Sequence, residues 1–175
     1  MGYRELFIVL TSVVLLTLLM TQINTNTVQG RDALQELEMQ HTAAAIAQQF
    51  IEEAKSKNFD GQVGLVNPME SDFFTPAGSL GPGAGETYPN FNDVDDYDEL
   101  NRTVYANGGT YDPNSTSGIP FNVSILVEYV SEANPDSAVT YETYLKRMSI
   151  TVISIYMPGS IAAKHVFSYY GVNLL

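Results

Sequence analysis

The first 57 residues constrain the fold more than any other part of the chain. A polar opening, Met1-Gly2-Tyr3-Arg4-Glu5, leads into an apolar run from Leu6 to Met20 broken only by Thr11, Ser12 and Thr17. From Gln29 the pattern becomes that of an amphipathic helix, with Leu34, Leu37, Ala44, Ala47 and Ile51 at three- and four-residue spacing. No proline, which would break a helix, occurs before Pro68. One long helix is therefore expected. At about 1.5 Å per residue it would reach roughly 80 Å, far more than the width of a domain of this size. Half of it must find its partners elsewhere.

The apolar run falls just short of the roughly twenty residues that cross hydrocarbon. A cleaved secretory signal would end in small residues, whereas Thr21-Gln22-Ile23-Asn24-Thr25-Asn26-Thr27 follows here and a helical pattern resumes. Glu5 stands at the edge of the run. A carboxylate is costly in lipid, so Glu5 is a functional candidate, the alternative being an acid that rests at the headgroups.

Composition narrows the function. With 45% apolar residues in 175, the chain suits one packed domain plus an appendage. A formal charge of −12 disfavours nucleic acid as a direct partner, because phosphate binding needs a basic surface. There is no cysteine, which removes disulfides, thiolate metal sites and thiol catalysis together. With only His41 and His165 and no phosphate loop, nucleophile elbow or zinc motif, an enzyme is not expected. His41 has no second histidine or carboxylate at ligand spacing, which favours a surface or packing role.

A glutamate at the fifth position, a hydrophobic half-helix directly behind it, an amphipathic continuation and a β-rich second half together resemble a type IV pilin or pseudopilin. The stretch Phe91-Asn92-Asp93-Val94-Asp95-Asp96-Tyr97 is similar to a Phe-Asp-Asp-Val-Asp-Asp-Tyr stretch of some minor pilins. The resemblance implies a mature start at Met1 after a prepilin peptidase has removed a leader and methylated the amine. It also implies an inner-membrane pool before assembly and then an extracellular helical filament of identical subunits, serving roles such as adhesion or motility. Assembly would run through Met1, Glu5, Leu6, Phe7, Val14 and Leu18, with Glu5 compensating a neighbour's terminal amine. Arg4 departs from the family's usual apolar residue. The alternatives are a membrane-retained pseudopilin or minor pilin, or a single-pass anchored binding protein.

The fold expected is α+β, a long N-terminal helix across an antiparallel sheet of about three strands. Residues 1–28 form the anchor or filament core and residues 29–175 the globular domain. Within that domain 29–57 is a spine helix, 58–118 a long loop region and 119–175 the sheet. The Thr and Asn residues between 21 and 27 compete for the backbone, so the helix is expected to loosen there; an intact helix whose threonines bond back to their own turn is the alternative. Arg31 to Lys57 has an Ala-rich run, Ala43 to Ala47, that lets a sheet approach closely.

In the loop region Asp93, Asp95, Asp96 and Asp98 could collect a hard cation, and the resemblance to pseudopilins implies calcium; an EF-hand's glycine and terminal glutamate are missing. A solvated acidic turn is the other expectation. The glycosylation sequons at Asn101, Asn114 and Asn122 are a frequent chance pattern. Ile119 to Val130 alternates apolar and polar residues, which predicts a half-buried strand. Tyr141 to Met157 reads as a second strand with a bulge near Val152, where the apolar phase shifts. Lys164 to Tyr170 reads as a third.

Overall fold

The computed structural model describes residues 2–63, 70–107, 110–112 and 115–171. Contacts divide the chain into two units, Met1–Glu38 and Met39–Leu175. The helix, α1, comprises Tyr3–Lys55.

In the first unit every described residue is helical from Tyr3 onward and exposed. The loosening expected over 21–27 is absent. Thr21 Oγ1 donates to the carbonyl of Leu18 at 2.8 Å, Thr25 Oγ1 to Thr21 at 2.8 Å and Thr27 Oγ1 to Ile23 at 2.8 Å. The hydroxyls that could have drawn the backbone into a turn are satisfied by carbonyls of the preceding turn, which leaves the helical ladder intact. Thr11 and Thr17 in the apolar run are held in the same way.

In the second unit α1 turns one face inward. Ala43, Ile46, Ala47, Phe50, Ile51 and Ala54 are buried, at three- and four-residue spacing, and alanines at close intervals keep the helix surface low. After Lys55 the chain leaves the helix through single turns, with the amides of Ser56 and Lys57 bonded to the carbonyls of Glu53 and Ala54.

The same buried cluster includes a sheet. Its strands are β1 (Asn101–Asn107), β2 (Thr110–Asp112), β3 (Ile119–Tyr129), β4 (Leu145–Ile153) and β5 (Ser160–Ser168). They lie in the order β2-β1-β3-β4-β5, and every neighbouring pair is antiparallel. The α+β class holds, but the sheet has five strands rather than about three. Two of them lie inside the stretch 58–118 that reads as loop. β1 is mostly polar and buries only Val104 and Ala106 of its described side chains, too little alternation to mark it as a strand.

β3 bears out its pattern, burying Phe121, Val123, Ile125, Val127 and Tyr129. β4 is shorter than predicted and has no bulge: its register with β3 and β5 is unbroken from Lys146 to Ile153. The shift of apolar phase arises because the strand ends. Ile153 and Ile155 are 45% and 81% exposed, and the turn through Ser154 and Gly159 then brings Met157 back inside. β5 starts at Ser160, earlier than the predicted Lys164, and gives way to a short 3-10 turn at Tyr169.

The segments outside the sheet are tied down by aromatic contacts. Phe59 meets Phe74 at 5.2 Å between ring centres, Phe74 meets Tyr169 at 5.3 Å, and Phe91 meets Tyr97 at 5.0 Å. Edge-on and tilted aromatic pairs of this kind add about 0.5–1.5 kcal/mol beyond the area they bury.

Candidate functional site

Two features carry chemistry: the apolar run of α1 and a charge cluster inside the second unit.

The carboxylate of Glu5 is exposed, and its Oε2 accepts the amide of Gly2 at 3.3 Å. This satisfies one of the donors left free at a helix start. Met1 lies outside the described residues. Leu6, Phe7, Val14 and Leu18 are exposed by 62%, 68%, 51% and 59%, so none of them belongs to a core formed within the chain. The helix is long and apolar enough to cross a membrane.

In the stretch from Phe91 to Tyr97 every residue but Asn92 is buried. Phe91, Val94 and Tyr97 recur every third residue, the spacing that places side chains on one side of a 3-10 turn, and all three enter the core. The same turn carries Asp93, Asp95 and Asp96 inward at 5%, 3% and 1% exposure. An acidic run normally stays wet, and here it is drawn in because its apolar neighbours are core residues and because protein groups meet each carboxylate.

Those partners can be named. Asp95 Oδ1 accepts Lys146 Nζ at 2.7 Å, and Asp60 Oδ2 accepts the same ammonium at 2.7 Å. The third ammonium proton reaches the carbonyl of Phe59 at 3.0 Å. Asp60 also accepts the amides of Gln62 and Thr75 at 3.0 and 2.9 Å, and the hydroxyl of Tyr129 lies 3.3 Å from its Oδ2. Asp96 Oδ2 takes the amide of Asn92 at 2.8 Å, and Asp98 Oδ1 takes the amide of Val127 at 2.8 Å, tying the turn to β3. Backbone bonds from Asn58 to Asn92 and Val94 fix the same turn to the end of α1. Glu53 of α1 accepts the hydroxyls of Tyr97 and Tyr88 at 2.8 and 3.0 Å.

The carboxyls divide by environment. Burial alone would raise Asp60, but the Lys146 ammonium and the amides of Gln62 and Thr75 outweigh it and hold the group below the usual carboxylate range. Among the described residues no cation is paired with Asp93. Burial, together with a hydrogen bond to Asp95 and the charges of Asp95 and Asp96, pushes it up to about 8, so it carries a proton at neutral pH. Burial also raises Asp96 and Asp98, against the amides that bond them.

The calcium expectation rested on Asp93, Asp95, Asp96 and Asp98. Among the described residues no three acidic or histidine side chains converge on one cation position. The cation the structure does bring to Asp95 is Lys146, and Asp98 serves the backbone of β3. His41 is exposed on α1.

Sequence reasoning missed Lys146 and Asp60. Lys146 stands in register with Met148, Ile150 and Val152 on the inner face of β4, and a lysine in the apolar phase of a strand was the available signal. Asp60 had none beyond its place after the helix end. Comparisons of the chain with protein-family models, with curated proteins and with solved structures give no match.

Proposed function

We propose that the chain is a structural subunit of an extracellular type IV pilin-like filament, joined to copies of itself through the N-terminal stretch of α1. The observation that carries this reading is the run from Leu6 to Met20, where every large apolar side chain is at least 51% exposed. Among the described residues the second unit closes a core of its own, and no residue of that run belongs to it. Such a surface is stable only against lipid or against other apolar helices. Before assembly it rests in the inner membrane; in the filament neighbouring copies cover it.

Glu5 gives the assembly its register. In a core of packed apolar helices a terminal amine and a carboxylate are each expensive alone, and placing Glu5 beside a neighbour's amine neutralises both. An imperfectly placed buried pair adds little net stability, so this contact selects the axial offset while the apolar run supplies the affinity. Prepilin peptidase and an assembly machine are the further partners this reading requires.

The same exposed run also suits a membrane-retained pseudopilin, a minor pilin or a single-pass anchored binding protein, since one helix of this kind can simply span a membrane. Shearing of cells separates the readings. The filament reading expects the protein to leave with filaments of uniform width, and recovery of the whole pool in the membrane fraction would contradict it.

A further inference from the structure

The Lys146 side chain has no exposed surface, and its Nζ lies 2.7 Å from Asp95 Oδ1 and 2.7 Å from Asp60 Oδ2. It also packs over the rings of Phe59 and Tyr129, 4.7 and 5.1 Å from their centres. Condensation needs an amine that has given up a proton, and Asp60 Oδ2 lies within reach of Nζ to take it. We propose that Lys146 and Asp95 join in an intramolecular isopeptide bond, with Asp60 taking a proton from the ammonium and returning it to the departing oxygen.

The two aspartates are not equivalent. Asp60 is held as an anion by Gln62, Thr75 and Lys146, and attack at its carbon would disrupt every one of those bonds. Asp95 instead meets the ammonium at Oδ1, at 2.7 Å.

The step balances without an outside reagent. An ammonium and a carboxylate become a secondary amide and one water: the Nζ–Cγ bond forms, one Cγ–O bond of Asp95 breaks, and the two protons lost from the ammonium leave on the departing oxygen. Nothing is oxidised or reduced. Condensation of free amines and acids in water is unfavourable, but groups fixed in contact reach effective concentrations on the order of 10⁵–10⁸ M. The apolar walls made by Phe59 and Tyr129 exclude the water that would reverse it. The bond would lock β4 to the Phe91–Tyr97 turn, and it does not depend on the filament reading.

The test is a peptide map of the full chain, purified in detergent, unfolded and cut after Lys and Arg. The expected result is a branched product with two amino termini, Asn58 and Thr103, in which fragmentation places the link between residues 95 and 146 and no cut follows Lys146; the uncut linear peptide 58–147 has the same mass but one amino terminus. Lys146→Arg should return the two peptides separately. Asp95→Asn should still yield a branched product of the same mass, with ammonia leaving in place of water, which a plain ion pair cannot produce. Unjoined peptides from the wild-type protein would overturn the proposal without recourse to any variant. So would a junction at Asp60, or water lost at Asp60-Gly61 as a cyclic imide beside an unbranched Lys146 peptide.

Discussion

The Nζ of Lys146 lies 2.7 Å from Oδ2 of Asp60, across 86 positions of sequence, and neither side chain has exposed surface. This contact, with its partner at Asp95, joins the end of α1, the acidic turn and the central sheet at one point. Such a cluster adds little stability compared with apolar packing, but breaking it from one side leaves uncompensated charge inside.

Relative to protein in which Lys146 and Asp95 are still an ion pair, Lys146→Met should therefore destabilise the second unit by about 3–5 kcal/mol, since Asp60 and Asp95 lose their cation while buried. Adding Asp60→Asn and Asp95→Asn to it should recover part of the loss. Denaturant unfolding of the full chain in detergent reads both. Equal stability of wild type and Lys146→Met would show the cluster to be wetter than its geometry implies.

The pH dependence has a defined sign. Asp93 is raised to about 8 in the folded state against about 3.9 for an ordinary aspartate, so between those values the folded protein holds a proton that the unfolded chain has released. Its contribution thus makes stability fall as pH rises through that window and level off above it. Asp60, depressed by Lys146, acts oppositely: its contribution is present above the unfolded value and is lost as pH falls through the folded one. Asp93→Asn should flatten the decline between about pH 4 and about pH 8, by on the order of a few kcal/mol at the alkaline end. Stability curves of the two proteins that run parallel across the window would refute the protonated state of Asp93.

Removal of residues 1–28 should yield a soluble, folded monomer. The buried face of α1 begins at Thr42, and among the described residues the core includes none of the apolar run. Circular dichroism and sedimentation test this; aggregation or loss of the β signal would mean that the removed part supports the core.

Much of this architecture is legible in the sequence because it rests on periodicity. The apolar run, the Ala-rich face from Ala43 to Ala54 and the alternation of β3 each repeat long enough to be unambiguous. β1 and β2 are short and largely polar, and pairing with β3 and β2 makes a strand of β1. The threonines between 21 and 27 can serve either a turn or a helix, and local composition does not choose between them. The acidic turn misleads for another reason: charge suggests water, while the three-residue recurrence of Phe91, Val94 and Tyr97 carries the burial. Lys146 and Asp60 depend on a contact between distant positions, which no local pattern encodes.

The measurement that tests the filament reading most directly is the yield of sheared filaments from cells carrying Glu5→Gln. The change removes the charge at nearly constant volume, so insertion through Leu6 to Met20 should persist or improve and the membrane pool should stay normal. Filament yield should fall steeply, because each added subunit would leave its neighbour's terminal amine uncompensated at a cost of about 3–5 kcal/mol. Glu5→Asp, which keeps the charge but shortens its reach, should recover part of the yield. Filaments at wild-type yield from the Gln variant would contradict the account and leave Glu5 as an acid that only marks the membrane surface.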